Sequence, residues 1–197
     1  MEALLFIVAA VALLGSPGPG IAALVVVGRT RGWRGGLTFF TGLQIGLALA
    51  AGLSAAGLVS ILLAIPLART LLAVASIFYL LWLAWSIASA PVGDGTIGGA
   101  SQARPSFGGG FLIGFANPKA YLSFLSLYAS FTIVEGNPPG DAVVKWLLCI
   151  AVMIVVDLIW LGLGVALGRI RLGHRKERVM NVAMGGALLA AAGLTLV

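Results

Sequence analysis

Two long apolar runs in this chain are each broken by proline near the middle, and no other feature constrains the fold as tightly. The first break is Ser16-Pro17-Gly18-Pro19-Gly20 and the second is Asn117-Pro118-Lys119. Proline has no N–H, and its ring clashes with the carbonyl four residues back, so each run should fold as two helices rather than one. Gly15 lies four residues before Pro19, and Gly114 four before Pro118, so each ring meets a glycine carbonyl. In hydrocarbon, backbone groups freed by such a break must find a partner or line a wet cavity. Interrupted spans at matching places in two halves of a chain point to a transporter's binding site.

Composition places these runs in a membrane. The chain is 60% hydrophobic and only 9% charged, against about 25% charged in soluble domains. A spanning helix needs about 20 apolar residues. Six segments qualify: Leu4–Val27, Leu37–Leu63, Leu67–Ala88, Gly109–Ile133, Val143–Leu167 and Val179–Val197. They leave no room for a soluble domain, and a barrel would need alternating segments of about 10 residues. The expected fold class is all-α integral membrane. Six transmembrane helices form a 3+3 inverted repeat whose first helix in each half is broken by proline. It is a single membrane transporter domain over 1–197, with half one at 1–90, a flexible Gly/Ser-rich linker at 91–106 and half two at 107–197.

Charge sets the expected orientation. Arg29, Arg31, Arg34, Arg104, Arg169, Arg171, Arg175, Lys176 and Arg178 fall in loops one, three and five, while the opposite side holds Arg69 and Lys145. The positive-inside rule puts the odd loops in the cytoplasm and both termini outside. The net charge of +6 therefore serves topology and lipid headgroups, not nucleic acid. Glu2, with no basic stretch before the first apolar run, is unlike a secretory signal, so the first helix is expected to be retained. Cys149 is the only cysteine, which excludes a disulfide framework or thiolate cage and reads as a buried structural thiol. Gly42/Gly46, Gly110/Gly114 and Gly164/Gly168 have helix-packing spacing. Intramolecular packing is the expected use, and an interface in a homo-oligomer is the alternative. Trp82, Trp85 and Trp146, near span ends, read as interfacial anchors.

Ionisable residues inside a span cost roughly 2.5–3.5 kcal/mol on the insertion scale and are usually functional. Two lie away from the span ends, Lys119 and Asp157. Their positions on consecutive spans allow them to pair as a static ion pair. The functional reading is sharper: a carboxyl group in a low-dielectric cavity can exchange protons near neutrality or receive a substrate ammonium. Asp157 is therefore the candidate proton carrier or cation site. Lys119, and the helix N-terminus after Pro17-Gly18-Pro19-Gly20, suit a substrate carboxylate. Gln44 and Asn117 offer neutral hydrogen bonds. Tyr79 either faces the cavity or packs in the core. A zwitterion would use all these groups together.

The whole chain resembles the LysE/RhtB superfamily of bacterial amino-acid exporters. The residues that carry the resemblance are Ser16-Pro17-Gly18-Pro19-Gly20, Arg31-Gly32-Trp33-Arg34-Gly35-Gly36 leading to Gly42-Leu43-Gln44, Tyr79-Leu80-Leu81-Trp82-Leu83, Asn117-Pro118-Lys119 and Val155-Val156-Asp157. It departs at Tyr128-Ala129-Ser130-Phe131, where members often carry Pro-Gln-Phe, and at Ala84, where they carry glycine. The resemblance implies a six-span secondary exporter of amino acids in the bacterial inner membrane, driven by protons. It puts Pro17, Pro19, Gln44, Asn117, Pro118, Lys119 and Asp157 near the translocation path.

Other classes fit less well. A Ser–His protease needs a buried histidine, but the sole histidine, His174, sits in the basic fifth loop. An aspartyl protease needs two intramembrane aspartates. No phosphate-binding loop supports ATP-driven pumping, and no cofactor is expected. A divalent-metal exporter would need several carboxylates or carbonyls, or a His/Cys/Met cluster. A membrane scaffold or lipid-handling component is the remaining alternative; in it both intramembrane charges would be structural.

Overall fold

Helix α1 (Glu2–Gly15) stops just before the first proline, and α2 (Pro19–Ala55) starts on the second, with proline at its first position. The second break is built alike: α3 (Phe107–Phe115) is capped by Ala116, and α4 (Pro118–Ser130) opens on Pro118. Helix α5 (Pro138–Gly168) follows. The computed structural model describes residues 1–57 and 106–169 continuously, with isolated helical positions at 67, 74, 78, 81, 84, 85, 175, 178, 179, 182, 183, 186 and 190. Among the described residues every regular element is a helix. Helices thus lie where four of the six expected spans were placed. Most of the third and sixth spans, the linker apart from Ser106, and Tyr79 lie outside the described residues.

The 37-residue helix α2 is two arms rather than one span. Gly32 has φ 62° and ψ −162°, a left-handed backbone that an L side chain rarely adopts. The chain folds back there: Gly28 and Gly36 both pack on Leu161, and Gly20 lies beside Leu43. Residues 19–31 therefore continue the first, broken run. Residues 33–55 give about 34 Å of helix at about 1.5 Å per residue, enough for a hydrocarbon core of about 30 Å. The first loop is correspondingly shorter than the sequence suggests, with Arg29, Arg31 and Arg34 flanking a one-residue bend.

Small residues let these helices touch backbone to backbone. A Cβ added at Gly42, Gly46, Gly110 or Gly114 would lie far inside contact distance of the carbonyls of Phe107, Phe111, Phe39 and Leu43. The second arm of α2 and α3 are thereby locked together. The first arm meets α5 in the same way, a Cβ on Gly28 lying 2.6 Å from the Leu161 oxygen and one on Gly168 2.5 Å from the Arg29 oxygen. All three spaced glycine pairs are thus used inside the molecule. Around these seams Phe6, Leu24, Phe39, Leu43, Ile113, Phe124, Leu127 and Leu161 are fully buried. Leu4, Leu5 and Val8 of α1 and Val143, Leu147, Val155 and Ile159 of α5 are exposed. Continuous apolar faces of this kind suit contact with lipid.

Two residues read from sequence for their place at the membrane also hold the fold together. Lys145, read from sequence only for its side of the membrane, is buried, ion-paired with Asp141 at 2.5 Å, and donates to the Tyr128 carbonyl at 3.1 Å. Asp141 Oδ1 accepts from the amides of Ile133 and Val134 at 2.6 and 2.9 Å. The pair, one helical turn apart on α5, pins the α4–α5 connector. Trp146 is not simply an interfacial anchor, because its indole N–H donates to the Ala48 carbonyl at 2.9 Å and joins α5 to α2. Cys149 is buried and free, as expected.

Removing one partner of a buried ion pair strands the other, at a cost of about 3–5 kcal/mol. Lys145→Met should lower the thermal stability of the purified protein by that order, and Lys145→Met with Asp141→Asn by less than the two single changes combined. A purely additive double-mutant cycle would contradict the coupling.

Candidate functional site

The break in the first run leaves carbonyls at the end of α1 with no amide to receive. Pro17 has no N–H, and Ser16 (φ −70°, ψ 143°) and Gly18 (φ −163°, ψ −178°) are extended, as a residue before proline prefers. Side chains take up these carbonyls, one local and two from across the molecule. Ser16 Oγ donates to Leu13 O at 2.8 Å, and Trp160 Nε1 to Gly15 O at 3.3 Å. Lys119 Nζ donates to Ser16 O and, at 3.3 Å, to Pro17 O. A cation at a helix C-terminus also opposes the negative end of the helix dipole.

Each residue of Asn117-Pro118-Lys119 has a separate task. Asn117 caps α4, its Oδ1 accepting from the Lys119 amide at 3.1 Å, and its carbonyl accepts from Ala120 and Tyr121. Pro118 starts the helix without wasting an N–H. Lys119 reaches over to the first break, so one ammonium ties the two broken helices together. Ser123 Oγ, one turn on, donates to the Lys119 carbonyl at 2.9 Å.

Helix α2 starts differently. Its cap is Gly18, which has no side chain to offer, and among the described residues the amides of Gly20 and Ile21 have no hydrogen-bond acceptor. Within five residues the first break therefore presents carbonyls at one end and free amides at the other.

Asp157 enters from α5, only 4% exposed. Its Oδ2 accepts from Gln44 Nε2 at 2.6 Å, and the same nitrogen lies 3.5 Å from the Met153 carbonyl. Among the described residues Gln44 Oε1 is buried without a partner. Lys119 and Asp157 face the same cavity, but no ion pair joins them among the described residues. The static pairing that the sequence allows is absent because each has another partner: α1 carbonyls for Lys119, Gln44 for Asp157.

The cavity has a volume of about 40 Å³ and is lined by Ser16, Gly18, Gly20, Asn117, Lys119, Ser123 and Asp157, with Leu13, Leu43, Leu47 and Met153 among its apolar walls. Of the residues singled out from sequence, Gly18, Gly20, Asn117, Lys119 and Asp157 line it. Gln44 stands behind Asp157, Pro17 lends a carbonyl, and Pro19 and Pro118 set the helix starts. Trp160 and Ser123 were missed: an indole on an apolar helix and a serine one turn past Lys119 carry no distinctive spacing. A volume of this size holds about three waters, so an amino acid requires the site to widen. Among the described residues no group of three or more His, Cys, Asp or Glu side chains could hold a metal.

No solved structure matches the chain. The cysteine/O-acetylserine efflux protein of Escherichia coli (strain K12) is 26% identical over 142 residues, which cover 72% of this chain and 68% of that protein. The cysteine/O-acetylserine efflux protein of Shigella sonnei (strain Ss046) matches with the same figures. The sequence model of the LysE type translocators matches residues 11–197, a stretch that takes in both helix breaks, Gln44 and Asp157. The chain belongs to the LysE type translocator family and is a membrane transporter, not an enzyme.

Proposed function

We propose that this protein exports amino acids, or similar small zwitterionic metabolites, from the cytoplasm across the bacterial inner membrane. The observation that carries the reading is the single cavity in which the carbonyl end of α1, the uncapped amide end of α2 and the Asp157 carboxyl group meet. Carbonyls and a carboxylate suit an ammonium, and free helix N-terminal amides suit a carboxylate. A zwitterion presents both within a few ångströms. The cysteine and O-acetylserine named for the relatives are zwitterions of this kind and head the list of candidate substrates.

The proposed mechanism is alternating access. The two halves form an inverted repeat about the broken helices, and rocking of one against the other opens the cavity to each side in turn. Loops one, three and five face the cytoplasm, so substrate enters from the side of the Gly32 bend. Asp157 takes a proton from outside, which favours release and resetting, and Gln44 holds the carboxyl group in place. Protons and membrane lipid are the other partners, and the spaced glycines are already used within one copy.

The test is efflux from cells expressing the protein and preloaded with a panel of amino acids that includes cysteine, O-acetylserine, threonine and lysine. Selective efflux of one or more supports the reading; no efflux of any moves it to another solute. A second expectation concerns the break in the second run. Pro118→Ala restores an N–H at the start of α4 and lets α3 and α4 join as one helix, so efflux should fall well below wild type at equal membrane abundance. Unchanged transport kinetics would count against a functional break.

A further inference from the structure

The position of the Lys119 ammonium bears on how an amino acid is held. The carbonyls of Ser16 and Pro17 lie at the negative end of α1, beside a cavity, and among the described residues no backbone amide satisfies them. Ser16 is half-buried and Pro17 exposed, and in hydrocarbon a carbonyl without a donor is costly wherever water does not reach it, so this place needs a donor in every state of the transporter. Here the donor comes from a residue 103 positions away in sequence. Its stem lies directly over Gly18, where an added Cβ would sit 2.9 Å from Lys119 Cδ and 3.2 Å from Nζ. The absence of a side chain at Gly18 gives the lysine its seat. The rest of the polar lining consists of short side chains and glycine, so Lys119 is the one long, unbranched polar side chain whose departure would enlarge the cavity.

We infer that the Ser16 and Pro17 carbonyls form a subsite for a primary ammonium group, that Lys119 is its tethered occupant, and that the substrate's α-ammonium takes the same seat. Lys119 is then released toward Asp157 and the substrate carboxylate. This rests on the proposed transport of zwitterions and specifies how one end of the substrate is recognised. It also gives a physical reason for the small cavity: the lysine stem and ammonium fill the space that the ligand enters. Three N–H donors on one carbon-bound nitrogen are what the seat selects, so a quaternary ammonium of the same charge does not fit it.

The experiment uses the full chain carrying Lys119→Met, purified in detergent. Thermal unfolding is compared in ethylammonium chloride and in tetramethylammonium chloride at equal ionic strength. At tenfold excess over its Kd, ethylammonium should raise the variant's melting temperature by about 3–6 °C, tetramethylammonium should not, and wild type should respond to neither. No shift, an equal shift with tetramethylammonium, or an equal shift in wild type would overturn the subsite. Should Lys119→Met not survive extraction in ordinary salt, extraction in ethylammonium must recover a monodisperse protein that tetramethylammonium does not; failure to do so overturns it equally. Transport plays no part in these measurements. Export of amino acids without ammonium rescue removes the subsite and leaves the export reading intact. Rescue without any amino-acid efflux removes that reading and leaves a primary-ammonium site.

Discussion

Asp157→Asn abolishes amino-acid efflux while the protein still folds and reaches the membrane: this is the largest functional effect expected. The substitution keeps shape and volume, and an asparagine oxygen can still accept from Gln44 Nε2, which lies 2.6 Å from the carboxyl oxygen. What disappears is the charge and the exchangeable proton. A hydrogen bond to a charged group contributes about 1.5–3 kcal/mol, which converts to a loss of roughly 10- to 150-fold in substrate recognition. If Asp157 also carries the coupling proton, the loss in net efflux is complete. Efflux from preloaded cells, compared with wild type at matched membrane abundance, measures it. Undiminished, pH-dependent efflux by Asp157→Asn would remove Asp157 from both roles.

The largest structural effect is expected from Gly110→Val. The added Cβ would collide with the Phe39 carbonyl, and the backbone on which it sits cannot rotate away as a flexible side chain would. The second arm of α2 and α3 must then separate along a seam that Gly42, Gly46 and Gly114 also hold closed. Overpacking costs roughly 1–3 kcal/mol even where side chains can yield. Between two backbones the cost should reach about 3 kcal/mol or more, a large share of the roughly 5–15 kcal/mol that holds a fold together. Size-exclusion of a fluorescent fusion should show little or no monodisperse Gly110→Val. Gly108→Val is the internal control, since a Cβ there has nothing nearer than Ser106 Oγ at 3.9 Å. Equal behaviour of the two variants would mean that the seam does not carry the packing.

Much of this arrangement was legible in the sequence. Proline chemistry is local, so Pro17, Pro19 and Pro118 announce where helices must stop and restart. Apolar length and low charge announce the membrane, and the cost of intramembrane charge singles out Lys119 and Asp157. Partnership is what local rules do not supply. Lys119 and Asp157 have opposite charges at similar depth, which suggests a pair. The structure instead gives Lys119 the α1 carbonyls, because those groups are orphaned by Pro17, 102 positions away. Lys145 was read only as a charge on the side opposite the odd loops; its Asp-x-x-x-Lys spacing with Asp141 was a visible signal of pairing. The turn at Gly32 was read as a loop of several residues. A single glycine with positive φ reverses the chain within one residue, and nothing in the composition of a Gly/Arg-rich stretch distinguishes the two.

A zwitterion is expected to cross the membrane through the cavity between the two broken helices. Uptake into proteoliposomes of radiolabelled amino acids and their N-acetyl derivatives, by wild type and Asp157→Asn, with and without an imposed proton gradient, measures that crossing. Wild type should show saturable, gradient-stimulated transport of at least one free amino acid and none of its N-acetyl derivative, and Asp157→Asn should transport neither. Transport of the N-acetyl compound at the same rate, or full activity in Asp157→Asn, would contradict it.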